Sequence, residues 1–300
     1  MLFFVPKINF SDVLRIFSEL GYKFIILFLI LKSFSIILMS YRLKYILGIQ
    51  KFNYNLRQLI KLYFLGIFYN NFLPTQYGGD IFKAYILSYE QKDKFPIYYS
   101  ILADRIIGFS SIIFIGFIAA IISFESLEFL GNAKYIYLVF PILFFLLLYF
   151  LSSSWSKKTI NFYLTTFGLK NLQDKINLAN DSITPIKNNK MELFIVIFIS
   201  FLVQTNIYLA FYAISLALHM DVILFYFFLF FPAIAMISAI PISINGIGVR
   251  ESGIVFFFIN AGVTANMALS LSLLILFFLV IDALIGGIIN IKGDYKFQEK

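Results

Sequence analysis

Long apolar runs separated by short polar connections dominate the pattern of this chain. A membrane-spanning helix needs roughly 20 apolar residues, because each residue advances the helix by about 1.5 Å and the hydrocarbon layer is about 30 Å thick. Seven runs approach or exceed that length, and the apolar piece from Ser252 to Ala261 predicts one further, partial helix. The predicted spans are Lys23 to Tyr41, Leu56 to Leu73, Ile97 to Ile122, Tyr135 to Leu151, Leu193 to Leu218, Val222 to Ile240 and Met267 to Ile289.

This pattern predicts an all-α, polytopic helical membrane protein with about seven to eight spans. The composition agrees, because 61% of the 300 residues are hydrophobic and only 13% are charged, whereas soluble domains have about 25% charged residues. The 39 Phe and 19 Tyr suit lipid-facing and interfacial positions. With no Cys and a single His, disulfides, thiolate nucleophiles and nearly all zinc or haem chemistry are excluded. We expect neither a cofactor nor a metal.

The charges lie between the apolar runs and give a net charge of +8. Basic loops beside a membrane follow the positive-inside tendency and attract anionic head groups, so we expect membrane lipids and not nucleic acid as partners. The stretch 155–190 mixes lysines with apolar residues and predicts an interfacial helix on the cytoplasmic side. It divides a single membrane domain, 1–300, into a first half at about 21–152 and a second half at 191–291. Since the start of the chain lacks the features of a signal peptide, we expect the first span to stay uncleaved.

Two segments interrupt the helical pattern in the same way, one at 73–83 and one at 240–251. Each has a proline at its second position, which removes a backbone donor, and each contains residues that tolerate positive φ. Aligning the two prolines also aligns Gly79 with Gly246 and Lys83 with Arg250, at an offset of 167 residues. The predicted break residues are Pro74, Gly78, Gly79, Pro241, Asn245, Gly246 and Gly248.

Paired interruptions of this kind predict a cavity, because lipid cannot satisfy the N–H and C=O groups of irregular backbone at membrane depth. Corresponding Pro and Gly breaks in two halves are typical of a transporter binding site, where half-helix N-termini present partial positive charge to an anion. The open alternative is that each break is a solvent-exposed turn between two spans.

Ionisable residues cluster around these breaks. Asp104 and Arg105 lie inside an apolar span and require a neighbour. With Asp80, Lys83, Arg250 and Glu251 they make three acids and three bases, a set that could neutralise itself when empty and reorganise around a phosphate. The alternative is that these ion pairs only fix helix packing, and Lys32, Arg42 and Asp282 are equally open to a structural or snorkelling role.

The order and spacing of these pieces resemble the membrane region of lysylphosphatidylglycerol synthases, which also occurs as stand-alone flippase-like proteins and attached to some archaeal glycosyltransferases. The resemblance covers nearly the whole chain. In sequence order it is carried by Ser40-Tyr41-Arg42, Asn71-Phe72-Leu73-Pro74, Gly78-Gly79-Asp80, Lys83, Asp104-Arg105, Gly108, Pro241, Gly246, Gly248-Val249-Arg250-Glu251 and Gly286-Gly287. The chain departs from the family pattern at Leu43, Lys83, Asp104 and Asn245, and a lysine cannot grip phosphate in the bidentate way of arginine.

The resemblance implies translocation of a lipid with a phosphorylated head group across the cytoplasmic membrane, without catalysis. We expect Lys83 and Arg250 to bind the phosphate, Arg105 and Asn71 to support binding, and Asp80, Asp104 and Glu251 to position the cations. No phosphate-binding loop of the G-x-x-x-x-G-K-[ST] type is present, so movement would be facilitated, ion-coupled or driven by a partner. Two alternatives stay open: a membrane-embedded transferase acting on a lipid phosphate, and a non-transporting membrane partner of a glycosyltransferase.

Overall fold

The computed structural model describes residues 15–72, 78–89, 91, 93–152, 190–240 and 243–293. Within these ranges the chain is helical and contains no strand. The α-helices are α1 (Tyr22–Ile49), α2 (Leu56–Asn70), α3 (Gly78–Ser88), α4 (Phe95–Ile122), α5 (Ile136–Ser152), α6 (Lys190–Ala217), α7 (Phe225–Ala239), α8 (Val249–Asn260) and α9 (Ala265–Ile291), with 3-10 segments at Phe124–Tyr135 and Ile244–Gly246. The predicted surface stretch 155–189 and the break residues Pro74 and Pro241 lie outside the described residues.

The long apolar runs form helices where the pattern predicted them. Five described helices are long and apolar enough to cross a membrane: Tyr22–Ile49, Phe95–Ile122, Phe124–Phe150, Lys190–Ala217 and Ala265–Ile291. The predicted spans at Leu56 and Val222 correspond to α2 and α7, which have only 15 residues each. The chain is therefore an all-helical integral membrane protein with five full-length candidate spans among its described residues.

The first span is longer than its hydropathy predicted. The sequence placed its end at Tyr41, before the charged residues Arg42 and Lys44, but α1 continues to Ile49. Arg42 is buried within the bundle, at 5% exposure, so this charge does not end the membrane helix.

The helices of the two halves pack in corresponding ways. Among the described helices, α1 and α6 make the most extensive contact. Helix α2 packs against α9, and in the same relation α7 packs against α4. Each short helix that follows a break lies between corresponding neighbours, α3 between α2 and α4, and α8 between α7 and α9. The correspondence proposed from the two breaks thus extends to the neighbours of each helix.

Two glycines make the corresponding α2–α9 and α7–α4 contacts possible. A Cβ at Gly286 would collide with the backbone carbonyl oxygen of Phe64, and a Cβ at Gly116 would lie 2.7 Å from the Cβ of Pro232. Each glycine stands twenty-one positions after the first residue of its helix, α9 or α4. Small residues allow this close approach of helices in a membrane.

Candidate functional site

A buried ion pair between two helices of the first half anchors a polar network. The Nε of Arg42 on α1 lies 2.6 Å from Oδ1 of Asp104 on α4, and Nη2 lies 3.0 Å from Oδ2. The remaining terminal nitrogen, Nη1, donates to Oγ of Ser200 on α6 at 3.0 Å. Arg42 and Asp104 are both buried, so this two-pronged contact joins three helices in a low-dielectric environment where charges require partners.

Tyr63 extends the network to the helix that follows the first break. Its hydroxyl donates to Oδ2 of Asp104 at 3.1 Å, and the Nζ of Lys83 on α3 lies over its ring, 4.1 Å from the centroid. An ammonium over an aromatic face is attracted by the negative face of the ring. Tyr63 thus contacts both the Asp104 carboxylate and the Lys83 ammonium.

Asp80, in the first turn of α3, receives two cations. Lys83 Nζ lies 2.7 Å from Oδ1, and Arg105 donates to Oδ2 through Nε at 2.6 Å and also through Nη2. A carboxylate in the first turn also interacts favourably with the positive end of the helix dipole. The carboxylate of Asp80 therefore brings the cations of α3 and α4 together.

The charged members of this network differ in their exposure. Its ion pairs join three cations, Arg42, Lys83 and Arg105, to two carboxylates, Asp80 and Asp104. The side chains of Lys83 and Asp80 are only 7% and 13% exposed, whereas that of Arg105 is 37% exposed. Arg105 is the accessible end of the network, and its guanidinium shares the Asp80 carboxylate with Lys83.

Glycines make the space that this network occupies. A Cβ at Gly66 on α2 would lie 3.1 Å from Cε of Lys83, and a Cβ at Gly79 would collide with the backbone of Gly66. On α4, a Cβ at Gly108 would lie 3.3 Å from both terminal nitrogens of Arg42. Larger residues at these positions would displace the cations or separate α2 from α3.

The second break has its own ion pair. Backbone φ angles are positive at Asn245, Gly246 and Gly248, after which α8 begins. The Nη2 and Nε of Arg250 lie 2.7 and 3.1 Å from Oε1 of Glu251, while the backbone N–H of Gly248 donates to Oε2 of the same carboxylate at 2.5 Å. Glu251 therefore caps the N-terminus of α8 and neutralises Arg250 at once.

The two breaks are in direct contact. Asn245 Nδ2 donates to Oδ1 of Asn71, which follows the end of α2, at 3.0 Å. The preceding residue, Asn70, accepts through Oδ1 from the backbone N–H of Gly79 at 2.7 Å. Two consecutive amide side chains at the end of α2 thus bind the first turn of α3 and the break before α8.

Sequence analysis placed six charged residues in one set, and their described contacts form two groups. Asp80, Lys83, Asp104 and Arg105 share the network, while Arg250 and Glu251 pair with each other at the second break. Asn71 is the predicted site residue that joins the breaks. Within the described ranges, no three His, Cys, Asp or Glu side chains lie close enough to share a metal ion.

Sequence reasoning did not assign Arg42 and Tyr63 to the site. The available signal for Arg42 was its place in the Ser40-Tyr41-Arg42 piece and its position directly after an apolar run. Tyr63 carries no such signal, since it is one of 19 tyrosines and its partners, Asp104 and Lys83, are 41 and 20 residues away in sequence.

Comparisons with known proteins agree with these features. The family model described as the lysylphosphatidylglycerol synthase TM region matches residues 1–287. A UPF0104 membrane protein from Methanocaldococcus jannaschii is 26% identical over 137 residues, which cover 43% of this chain and 40% of that protein. The alignment thus spans less than half of this curated relative. No solved structure matches the chain.

Proposed function

The chain belongs to the lysylphosphatidylglycerol synthase TM region family, and on that premise we propose that it moves a phosphate-bearing lipid across the cytoplasmic membrane. The transported class is a phospholipid or a polyprenyl-phosphate-linked lipid. Its head group would pass between the two breaks while its tails stay in the bilayer. The chain would act as a transporter and not as an enzyme.

The observation that carries this proposal is that two cations from different helices, Lys83 and Arg105, meet at Asp80 in the first turn of a short helix. The Arg105 side chain is 37% exposed, so an anion can reach this cluster. A phosphate there would lie beside both cations. Arginine can hold phosphate oxygens in a bidentate manner, and Lys83 can add a compact positive charge to the same anion.

The second break supports the proposal by its similar chemistry. Arg250, like Arg105, is held by a carboxylate in the first turn of a short helix. Because Asn71 and Asn245 are in contact, both short helices begin near the same part of the molecule. A phosphate that displaced the Asp80 or Glu251 carboxylate from its arginine would lie between the two breaks. Cations, glycine backbone and side-chain amides would surround it on both sides.

The short helices also suggest how the chain crosses the membrane. Helices α2 and α7, of 15 residues, are each about 22 Å long at about 1.5 Å per residue. Each is followed by a break and by a helix of 11 or 12 residues, α3 or α8. We propose that α3 and α8 are re-entrant or broken segments, so that the chain has seven to eight crossings in two related halves.

The proposal is tested by reconstituting the purified chain in vesicles with fluorescent lipids and measuring the loss of inner-leaflet label to an impermeant reductant. Phosphatidylglycerol, its aminoacylated form and a polyprenyl phosphate test the phosphate-bearing class, and phosphatidylcholine, whose phosphate is part of a zwitterion, tests the need for net negative charge. We expect movement of at least one anionic lipid above the rate in protein-free vesicles. If none of them moves, transport by the chain alone is wrong, and retained binding to a glycosyltransferase would favour a partner role.

A further inference from the structure

A second intramembrane ion pair lies apart from the network around Asp80. Lys32 Nζ on α1 lies 2.8 Å from Oδ2 of Asp282 on α9, and it also donates to the backbone carbonyl oxygen of Phe278 at 2.7 Å. Lys32 stands ten residues after the start of α1, and Asp282 stands nine residues before the end of α9. At about 1.5 Å per residue, both are roughly 14 to 15 Å inside their helices, well within a hydrocarbon layer of about 30 Å.

The surroundings of this pair are apolar. Lys32 Nζ lies 5.5 and 5.4 Å from the ring centroids of Phe28 and Phe278, which pack on each other at 4.6 Å. The two charged side chains nevertheless retain 19% and 13% exposure. The pair is thus largely enclosed by aromatic rings.

Other charged groups do not balance this pair. The helices packed against α1 and α9 carry Arg57, Lys61, Tyr63 and Tyr69 on α2, Asp104 and Arg105 on α4, Lys190 and Glu192 on α6, and Arg250 and Glu251 on α8. Arg42, Asp104, Arg105, Arg250 and Glu251 have partners in the two groups described above, and Tyr69 donates to Asn290 at 3.1 Å. Among the described residues, the charged group that acts on Lys32 is Asp282, and the reverse also holds.

The pair is connected to the breaks through close helix contacts. Gly286, one turn after Asp282, is the residue whose backbone packs tightly against Phe64 of α2. Helix α2 ends at Asn70 and Asn71, which bind the two breaks. On the other side, Asn206 of α6 donates to the carbonyl oxygen of Leu31 and to Oγ of Ser35, which fixes the turn of α1 that carries Lys32.

On the basis of the translocation role above, we propose that Lys32 and Asp282 form a proton-binding site that couples proton movement to the opening of the breaks. Addition of a proton to the Asp282 carboxylate makes a neutral acid and leaves the Lys32 ammonium without an anion. An unpaired ammonium is costly in an apolar environment, so it favours an arrangement in which α1 and α9 separate and the ammonium reaches water. That separation would loosen α9 from α2 at Gly286 and thereby move the ends of both breaks.

The test uses a single-cysteine reporter, because the chain has no native cysteine. Ile247 in the second break is 43% exposed, so Ile247→Cys reports access to this segment. The rate at which an impermeant maleimide modifies Ile247→Cys is measured in detergent micelles at about pH 6 and about pH 8. At each pH this rate is divided by the rate for Ser18→Cys, a reporter at an exposed position. This ratio removes the pH dependence of the thiol itself, which reacts as the thiolate.

We expect the ratio to be about threefold or more higher at about pH 6 than at about pH 8, because protonation of Asp282 shifts the population toward the open arrangement. Asp282→Asn should remove this dependence. The double variant Lys32→Met/Asp282→Leu should also remove it while keeping a folded bundle, because a buried pair is replaced by apolar groups. Glu128→Gln, which alters the surface pair of Glu128 and Lys134, should keep the dependence of the parent reporter.

A modification ratio that is constant with pH in the parent reporter would overturn the proposal. The proposal would also be wrong if both Asp282 variants kept the pH dependence of the ratio, or if Glu128→Gln lost it to the same extent as they do. The reporter needs no transported lipid. The two proposals can therefore fail separately. Absence of lipid movement in vesicles would refute the transport role, while the pH response of the reporter would still test the Lys32–Asp282 site.

Discussion

Asn245 and Asn71 are 174 residues apart in the chain, and their side-chain amides share a hydrogen bond of 3.0 Å. This contact places the second break directly against the end of α2, where Asn70 binds the first turn of α3. The two interruptions therefore belong to one region of the molecule. It is the region where short helices begin, where positive φ angles occur and where each first turn carries a carboxylate paired with an arginine.

We expect the Asn71–Asn245 bond to be measurable by a double-mutant cycle. Asn71→Ala removes the acceptor, and Asn245→Gly removes the donor while keeping the left-handed φ of 51° accessible. The coupling free energy from thermal unfolding in detergent should be about 0.5–1.5 kcal/mol, as for other hydrogen bonds within membrane bundles. Asn260→Ala on the exposed end of α8 should show no coupling with Asn71→Ala. A coupling near zero for Asn245→Gly would contradict the contact.

Asp104→Asn should strongly destabilise the bundle. It removes the charge that balances the buried Arg42 guanidinium, and loss of one partner of a buried ion pair costs about 3–5 kcal/mol. Glu128→Gln, in a surface pair whose acid is largely exposed, should leave the midpoint of thermal unfolding almost unchanged. If the two variants unfolded at the same temperature, the burial of the Arg42–Asp104 pair would be wrong.

Gly286→Ala should weaken the packing of α9 on α2. The added methyl group meets the carbonyl oxygen of Phe64 and the Cβ of Phe68, and such overpacking costs about 1–3 kcal/mol. Gly48→Ala is the matched control, because it also lies in a long helix and no atom lies within 4 Å of its added Cβ. That substitution should be neutral or stabilise α1 by up to about 1 kcal/mol. Equal effects of the two changes would contradict the close helix contact.

A cysteine at position 247 should be protected by an anionic lipid. If a phosphate enters between the breaks, micelles containing phosphatidylglycerol should slow maleimide modification of Ile247→Cys relative to micelles containing phosphatidylcholine. Ser18→Cys, at an exposed position outside the candidate spans, should react equally in both. Equal modification of Ile247→Cys in the two lipids would argue against entry of the head group beside the second break.

The spans could be predicted from the sequence because lipid imposes a simple requirement, a long apolar run with its backbone bonds satisfied within the helix. For this reason α4, α6 and α9 lie within a few residues of the predicted spans. The end of α1 was missed because hydropathy treats Arg42 as an interruption. In the folded chain Asp104 and Ser200 surround that charge, and no local pattern records partners 62 and 158 residues away.

The site was predicted in part, for a similar reason. Proline and glycine mark breaks locally, so Gly79, Asn245 and Gly248 could be recognised as special positions. Which cation meets which carboxylate depends on tertiary packing. The sequence alone could not show that Lys83 and Arg105 share Asp80, that Arg250 turns to its neighbour Glu251, or that Lys32 meets Asp282 across 250 positions of the chain.

The vesicle assay with Arg105→Gln tests whether the cations that meet at Asp80 bind the phosphate of a transported lipid. Arg57→Gln, at an exposed position in the first turn of α2, is the control for removal of one positive charge. We expect Arg105→Gln to slow movement of anionic lipid by about tenfold or more, the effect of losing roughly 1.4 kcal/mol or more of binding, while its thermal unfolding and the rate of Arg57→Gln stay at wild-type values. Wild-type transport by a folded Arg105→Gln chain would show that Arg105 does not bind the phosphate of the transported lipid.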